Sequence, residues 1–385
     1  MDWVNLLLLL LLCAGHAEVL AAAVNRLHAR PFGERRLKQF RRVYTIVLLA
    51  FPVALLWFVG LRGPALLRGG EWRDVPVGWT LYLAACAVGA TSLLIAGLSR
   101  ALRKVPQWQV SNHSRTIDIS QRLGSPPVGS GPYRLLAQIP FNEVFQVEVS
   151  EKHYRLPRLP RELDGLSILH LSDLHFRGTP GLPYFEQVIE LASELRCDMI
   201  AFAGDLLDNP KLIQWLPNTL GRLSAPLGCY FILGNHDWYL DPAAIRAAVR
   251  DLGWQDVAGK TVEIEHRGQW LVIGGTELPW MGKHPDFSTA PADAFRILVS
   301  HTPDNIAYAR SQNVDLMLSG HNHGGQVQLP LIGPVFAPSR FGVRYAGGVF
   351  EHEPTLLYVS RGISGRRPLR WNCLPELTKL VLHAG

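Results

Sequence analysis

The sequence contains two histidines two residues apart within a run of glycines, Gly320-His321-Asn322-His323-Gly324-Gly325. The mostly apolar residues 314–318 precede them and predict a buried strand that ends at the pair. Because alternate residues of an extended or turning chain point the same way, both imidazoles can reach one small volume. The glycines allow the backbone to lie close to whatever occupies it. Such a pair could bind a metal ion, but a packed or solvent-facing pair is equally compatible with this motif alone.

Four other apolar, strand-like runs end in aspartate, asparagine or histidine. These ends are Asp173-Leu174-His175, Gly204-Asp205, Gly234-Asn235-His236-Asp237 and His301. In open α/β sheets, ligands bind at the carboxyl ends of the strands. A single end is weak evidence, because a residue such as His301 could cap a helix or pack in the core. Five such ends between Asp173 and His323 favour one shared polar site.

The order of elements after residue 165 predicts an α/β fold. Short β-rich runs first alternate with helical patterns at residues 182–195, 211–223, 242–252 and 304–312. After Gly259 the strand-like runs come closer together, at residues 261–265, 270–274, 295–300, 314–319, 355–360 and 378–383. Alternation followed by clustered strands predicts two mixed β-sheets packed face to face as a sandwich and flanked by helices.

The first hundred residues predict an α-helical transmembrane region. Residues 43–61 and 75–99 are uncharged and long enough to cross a hydrocarbon core of about 30 Å. Residues 4–24 are also apolar but contain His16 and Glu18. A secretory signal peptide is the competing interpretation of that first run, and we favour a retained span because no basic segment precedes it.

These patterns divide the chain into three parts. We expect a membrane region at residues 1–104, with helices at about residues 4–25, 43–61 and 77–99. A linker or juxtamembrane segment follows at residues 105–164, with a turn-rich stretch from Gly124 to Pro132 and an alternating run at residues 144–149 that predicts a strand. The α/β domain then occupies residues 165–385.

The distribution of charge predicts the orientation of the spans. The loop between the first two spans carries many basic residues and one acidic residue, Glu34. Because basic loops stay on the cytoplasmic side, we expect an integral protein of an inner or plasma membrane, with everything after residue 99 in the cytoplasm. The net charge of +6 is concentrated beside the spans, so nucleic acid is not an expected partner. The five cysteines are scattered without C-x-x-C spacing, which predicts free thiols.

The five polar motifs resemble those of the calcineurin-like metallophosphoesterases, over roughly residues 165–385. The pattern is most similar to the membrane-anchored YkuE/YaeI-like branch, through the proline-rich segment ending in Leu163-Asp164-Gly165-Leu166 and the Gly324-Gly325-Gln326 extension. That branch usually has threonine where this chain has Asn322, a position that is not a ligand in the family. The resemblance does not extend to residues 1–100.

The resemblance implies a centre of two divalent metal ions. One ion would be held by Asp173, His175 and His323, and the other by Asn235, His301 and His321. Asp205 would bridge both, since two neighbouring cations repel and need an anionic bridge. Nitrogen ligands with few carboxylates suit Mn, Fe, Zn or Co better than Ca or Mg.

The resemblance also implies a catalytic pair, His236 and Asp237. His236 would protonate the leaving oxygen or stabilise the transition state, and Asp237 would fix its tautomer. The alternative for Asp237 is a helix-entry or loop residue. Asp208 could brace the Asp205 loop or lie in an exposed turn. Arg361 could contact a substrate phosphate or form a structural salt bridge.

Together these features predict a membrane-anchored hydrolase of phosphomonoesters, phosphodiesters or pyrophosphates, acting through a metal-activated hydroxide. The expected partners are the bilayer and a phosphorylated substrate, with a lipid-linked one such as UDP-2,3-diacylglucosamine implied by relatives that cleave it. The alternative is a membrane-bound binding or scaffold protein with a non-catalytic metal site. The complete ligand set disfavours it, because decayed sites usually lose an aspartate or a histidine. A nuclease is disfavoured because the basic residues cluster near the membrane region.

Overall fold

The computed structural model describes residues 1–385 and forms two compact units. One unit contains Met1–Lys104 and Leu329–Gly342, and the other contains Val105–Gln328 and Val343–Gly385. The predicted architecture is confirmed: three apolar helices come first, and two mixed β-sheets with helices follow.

Three helices of the first unit are long and apolar enough to cross a membrane. They are α1 (Trp3–His28), α2 (Glu34–Leu55, continued by a π-helical turn at Leu56–Leu61) and α3 (Val77–Ala101). Each contains one of the predicted spans and extends beyond it into polar or basic residues. The π-helical turn follows Pro52, whose missing N–H removes one backbone hydrogen bond from the helix.

Helices α1 and α3 approach closely at small residues. A Cβ atom added to Gly15 would lie 1.8 Å from the carbonyl oxygen of Cys86, so only glycine fits there. The adjacent His16 is fully buried, stacks on Phe51 at 4.0 Å and lies 2.7 Å from the Tyr82 hydroxyl through Nδ1. Its polar ring is therefore satisfied inside the bundle by neighbouring helices.

Strands and shorter helices make up the rest of the chain. The strands are β1 (Gln109–Asp118), β2 (Gln146–Leu156), β3 (Leu166–Leu171), β4 (Met199–Ala203), β5 (Cys229–Ile232), β6 (Gln255–Asp256), β7 (Thr261–His266), β8 (Gln269–Thr276), β9 (Phe295–Ser300), β10 (Leu316–Ser319), β11 (Gln328–Leu329), β12 (Gly333–Pro334), β13 (Gly348–His352), β14 (Thr355–Val359) and β15 (Glu376–Ala384). The helices are α4 (Ile119–Leu123), α5 (Arg134–Ala137), α6 (Leu182–Glu194), α7 (Asn235–Trp238), α8 (Pro242–Asp251) and α9 (Ile306–Ser311).

The strands form two large mixed sheets and one short pair, β11 with β12. The first sheet has the order β1-β2-β15-β3-β4-β5-β6, and the second has the order β13-β14-β10-β9-β8-β7. Strands β3, β4 and β5 are parallel, as are β8, β9, β10 and β14. The carboxyl ends of several strands in each sheet therefore lie along a common edge.

Two hydrophobic clusters hold the sheets in place. Ile168 and Ala201 of the first sheet pack between the sheets with Ile297 of the second. Their sequence neighbours point outward, and Leu169 packs with Val188 of α6. Because central strands such as β3 and β4 are buried on both faces, they appear in the sequence as continuous apolar runs. Burying one such aliphatic side chain completely contributes about 1.5–3 kcal/mol to the free energy of unfolding.

Among the differences between the structure and the predictions, two concern long stretches of the chain. Residues 211–223 form short 3₁₀ turns rather than one helix, because Pro217 and Gly221 interrupt the apolar pattern. Residues 105–164, expected as a linker or juxtamembrane segment with one strand at residues 144–149, contribute both β1 and the longer β2 to the first sheet. Strand β2 joins the core because its alternating side chains, among them Val147 and Val149, are buried.

Candidate metal centre

The predicted ligands lie in loops that follow β3, β4, β5, β9 and β10. Two groups made up of predicted ligands place their ligand atoms within 4.8 Å of one another, and Asp205 belongs to both; a third group joins the predicted ligand His175 to Asp208 and His236. The first group is Asp173, His175, Asp205 and His323, and the second is Asp205, His301 and His321. Asn235 joins the second group, because its Oδ1 lies 3.1 Å from His301 Nε2. All seven predicted ligands are therefore brought together.

The first group has the spacing of a ligand shell. His175 Nε2 lies 3.2 Å from His323 Nε2 and 3.4 Å from Asp205 Oδ2. Asp173 Oδ1 lies 3.8 Å and 3.7 Å from the same two ring nitrogens. Atoms bound tetrahedrally at about 2.0–2.1 Å from one metal ion lie roughly 3.3 Å apart. One transition-metal ion fits among these four atoms.

The second group has similar spacing around His301. Its Nε2 lies 3.1 Å from His321 Nδ1 and 3.4 Å from Asp205 Oδ2. The other ring nitrogen, Nδ1, lies 2.7 Å from the carbonyl oxygen of Ala203 and must donate a proton to it. In the neutral ring Nε2 therefore carries a lone pair that faces the oxygens of Asp205 and Asn235. Several acceptors directed at one point need a proton or a cation between them, so these residues fit a metal ion.

The pKa shifts follow from the same crowding. Burial alone would lower the pKa of His301, but the carboxylates of Asp205 and Asp173 raise it to about 9. Burial and the neighbouring His175 hold the pKa of His323 well below its usual value. Burial acts to raise the pKa of Asp205, yet nearby histidines hold it well below its usual value. Asp205 is thus an anion that attracts positive charge to the point shared by both groups.

Several predicted ligands have an unusual backbone conformation. Five of them lie in the left-handed region with positive φ, namely Asp173 (58°), His175 (47°), Asp205 (58°), His321 (71°) and His323 (51°). Residues other than glycine seldom adopt this conformation, and such strain is concentrated at functional sites. The sharp turns at the strand ends direct these side chains into one volume.

Gly320 allows two of these loops to meet. A Cβ atom added there would lie 2.4 Å from Asp173 Oδ2 and 2.7 Å from the Ser172 side chain. The backbone N–H of the next residue, His321, donates to Asp173 Oδ2 at 3.1 Å. The glycine is thus required by the close approach of the β10 loop to a predicted ligand.

Gly320→Ala is expected to lower metal affinity about 10–100-fold, the range seen when groups that orient ligands are disturbed. Metal titration of the purified variant measures the effect. Gly78→Ala is the matched control, because a Cβ atom there meets nothing within 4 Å. Unchanged metal affinity in Gly320→Ala would show that the two loops can separate freely.

His236 lies beside the two groups and is held by Asp208. His236 Nδ1 donates to Asp208 Oδ1 at 2.6 Å, and its ring meets that of His175 edge-on at 4.7 Å. The other oxygen, Asp208 Oδ2, lies 3.2 Å from His175 Nδ1. Asp208 therefore orients both a predicted ligand and the predicted acid. Its position three residues after Asp205 in the same loop was the only signal of this role in the sequence.

Asp237 does not contact the His236 ring in the way predicted. Its carboxylate accepts hydrogen bonds from the backbone N–H groups of Leu206, Leu207 and Gly234, at 2.9–3.1 Å. Burial and the charge of Asp205 raise the pKa of Asp237 to about 6. The alternative for Asp237 as a helix-entry residue therefore fits better, because it lies in the first turn of α7 and its side chain joins that turn to the loop after β4. The tautomer of His236 is set by Asp208.

Arg361 forms structural salt bridges. Its Nη2 lies 2.8 Å from Glu148 Oε1 and its Nε lies 3.4 Å from Glu376 Oε2. Glu376 is buried and also accepts from the Tyr358 hydroxyl at 2.6 Å. This network holds the turn that follows β14 against the first sheet, and of the two alternatives for Arg361 the structure favours the structural one.

Comparisons with known proteins place these residues within a family of phosphoesterases. The family described as Calcineurin-like phosphoesterase matches residues 166–325, a range that includes every predicted ligand. The chain is 32% identical over 254 residues to the metallophosphoesterase YkuE of Bacillus subtilis, covering 63% of this chain and 87% of that protein. It is 29% identical over 248 residues to the transmembrane protein with metallophosphoesterase domain of Bos taurus, covering 59% and 55% of the two chains. It is 27% identical over 290 residues to the UDP-2,3-diacylglucosamine pyrophosphatase LpxG of Chlamydia muridarum, covering 60% of this chain and 88% of that protein.

Proposed function

Since this chain belongs to the calcineurin-like phosphoesterase family, we propose that it uses two divalent metal ions to hydrolyse a phosphoester or pyrophosphate bond of a lipid-linked substrate. Membership makes the chain a metal-dependent phosphoester hydrolase. The number of ions, the bond and the lipid are the proposal. The observation that carries it is the pair of ligand groups that share Asp205.

The proposed division of ligands follows the two groups. Asp173, His175 and His323 would hold one ion, and Asn235, His301 and His321 would hold the other. The donors are mainly imidazole nitrogens, which favours Mn, Fe, Zn or Co. Two such ions, when bound, would supply an activated water as nucleophile and would neutralise the charge that develops on the phosphoryl oxygens.

The remaining chemistry falls to the side chains of the chain itself. His236 is partly exposed beside the centre, and Asp208 holds its Nδ1–H. Its Nε2 is free of that bond, and when the ring is a doubly protonated imidazolium this nitrogen carries the proton that passes to the leaving oxygen. Asp205 Oδ1 accepts from the backbone N–H of His236 at 2.8 Å. Asp205, the residue that would bridge the ions, is therefore also bonded to the main chain of the proposed acid.

The membrane region is part of the proposal. The chain has three helices of spanning length, and a relative carries the name of a transmembrane protein, so we treat it as a membrane protein. From the basic loop between α1 and α2 we propose that the phosphoesterase unit lies on the cytoplasmic side. An anchored enzyme meets lipid headgroups at high effective concentration. A lipid-linked nucleotide such as UDP-2,3-diacylglucosamine is the first candidate, because the LpxG relative is named for that pyrophosphatase activity.

The test is a metal-reconstitution assay of the detergent-solubilised full chain. We expect turnover of bis(p-nitrophenyl) phosphate that requires added Mn²⁺, Zn²⁺, Fe²⁺ or Co²⁺ and disappears with a chelator. A second arm offers UDP-2,3-diacylglucosamine. Turnover of the aryl diester with the lipid nucleotide left intact would remove that substrate but keep the hydrolase. Metal binding without turnover of any phosphoester would instead support the binding or scaffold protein.

A further inference from the structure

Residues 133–141 expose large apolar side chains in a way that packing within the protein does not explain. Phe141 is 89% exposed and Leu135 is 84% exposed, and Ile139 and Tyr133 are nearly half exposed. Single exposed leucines are common on protein surfaces, but a group of large apolar side chains within nine residues marks a contact surface. We call residues 133–141 the apolar projection.

Hydrogen bonds of Asn142 and one buried side chain fix the backbone of the apolar projection. Asn142 Nδ2 donates to the carbonyl oxygens of Leu136 and Pro368, both at 2.8 Å. Asn142 Oδ1 accepts from the backbone N–H of Arg370 at 2.9 Å. Ala137 is buried in the core of the first sheet. The backbone is therefore fixed while the large side chains point away from the protein.

The segment beside the projection adds an aromatic side chain and positive charge. Residues 366–371 lie next to it through the Asn142 hydrogen bonds, and they expose Trp371 (40%) and Arg367. Arg134 is exposed within the projection itself. Neither residues 119–142 nor residues 361–375 contain an acidic side chain. The apolar surface is thus bordered by the cationic side chains of Arg134 and Arg367 and by the rings of Tyr133 and Trp371. Each of these rings carries one polar group.

Both segments also reach the metal centre. The guanidinium of Arg177 lies over the Tyr133 ring at 5.3 Å, and Arg177 Nη1 lies 3.9 Å from Asp208 Oδ2. On the other segment, Arg370 Nη1 donates to the backbone carbonyl of His323 at 2.9 Å. The exposed apolar surface is therefore connected to the metal centre through the side chains of Arg177 and Arg370.

We propose that the apolar projection and Trp371 form a surface that inserts into an anionic bilayer. Leu135, Ile139 and Phe141 enter the acyl region, and Arg134 and Arg367 contact headgroup phosphates. Tyrosine and tryptophan at the border match the residues found at membrane–water interfaces, and exposed cations without acids match the negative surface of such a bilayer. Insertion seats the metal centre at the headgroup level. This consequence rests on the proposed function, whereas the insertion itself does not.

A bilayer explains the surface better than a protein partner does. Protein contact surfaces are depleted in charge at their centre but usually carry both signs at their rim. Here residues 119–142 and 361–375 carry cations and no acid, and the carboxylate of the adjacent Glu143 accepts from the backbone N–H of Cys373 at 3.0 Å. A second copy of the chain would bring the same cations to the same place, which like-charge repulsion opposes.

The test uses the full chain reconstituted in vesicles of phosphatidylcholine with and without phosphatidylglycerol. Phe141→Cys is labelled with an environment-sensitive fluorophore, and Glu263→Cys, an exposed acidic position on β7, is the matched control. We expect a blue-shifted emission at position 141, quenching by brominated acyl chains several-fold stronger than at position 263, and a further gain with phosphatidylglycerol. Adding Leu135→Asp should abolish the quenching, because a charge in the interface opposes insertion. Adding Leu135→Met should preserve it.

The outcomes separate the inference from the proposed function. An emission wavelength at position 141 typical of water in both kinds of vesicle would overturn the inference. So would a blue shift that depends on the protein-to-lipid ratio and not on the lipid composition. Metal-dependent hydrolysis of bis(p-nitrophenyl) phosphate is measured on the same variants and should stay unchanged, which shows an intact centre. If the parent protein hydrolyses nothing, the proposed function fails, and the fluorescence still decides the insertion.

Discussion

Asp205→Asn is expected to remove the metal ions and the activity together. Asp205 Oδ2 lies 3.4 Å from His175 Nε2 and 3.4 Å from His301 Nε2, so this one oxygen belongs to both ligand groups. The amide has nearly the same shape but no charge, so the two cations that we propose would lose the anion between them. We expect activity to fall by about 10³-fold or more, at the upper end of losses seen when one electrostatic stabiliser is removed.

Metal analysis and steady-state kinetics on the same preparation measure this effect. Asp315→Asn is the matched control, because Asp315 is also a buried carboxylate of this unit but accepts from the backbone N–H of Arg296, away from the centre. The control should retain both metal content and turnover. An Asp205→Asn protein that keeps two ions and near-normal turnover would refute the bridging role.

His236→Ala is expected to leave the metal content unchanged and to lower kcat by about 10²–10⁴-fold, the contribution of a general acid. Its Nδ1 is occupied by Asp208 and its ring packs edge-on against His175, so it is not a member of either proposed ligand shell. The alanine variant loses a proton donor and leaves the predicted ligands in place.

Asp208→Asn provides the comparison for His236→Ala. Because the carboxylate contacts both His175 and His236, we expect a partial loss of metal affinity and of kcat, about 10–100-fold, as for other groups that orient ligands. Metal titration and kcat measured together separate the two roles. Loss of metal in His236→Ala would contradict its assignment as an acid outside the ligand shell.

Much of the fold was predictable because its central strands are buried on both faces. The predicted run at residues 295–300 matches β9 to the residue, since continuous apolar segments have few alternatives. Strand β1 was not predicted, because its side chains are mostly exposed and polar, and its place at the sheet edge is set by pairing with β2. Pairing partners far apart in the chain leave no local pattern in the sequence.

The centre was predictable as a set of residue types and not as a set of contacts. The position of Asp205 after a buried strand indicated its place at the sheet edge. The exchange of roles between Asp208 and Asp237 was not predictable, since both are aspartates in neighbouring loops. Which of the two aspartates contacts an imidazole depends on turns with positive φ at residues such as His175. The sequence rarely indicates such turns when the residue is not glycine.

The left-handed turns at Asp173, His175, Asp205, His321 and His323 also restrict which metal chemistry this scaffold can acquire. Aspartate, asparagine and histidine tolerate that conformation best, whereas cysteine or glutamate at the same positions would add a backbone penalty of about 1–2 kcal/mol per residue. Exchanging these ligands for cysteine, to bind softer ions that prefer thiolates, is therefore opposed by the main chain before coordination is considered. A laboratory effort to change the ion should begin at Asn235 or His301, the two positions where the main chain leaves the choice of side chain open.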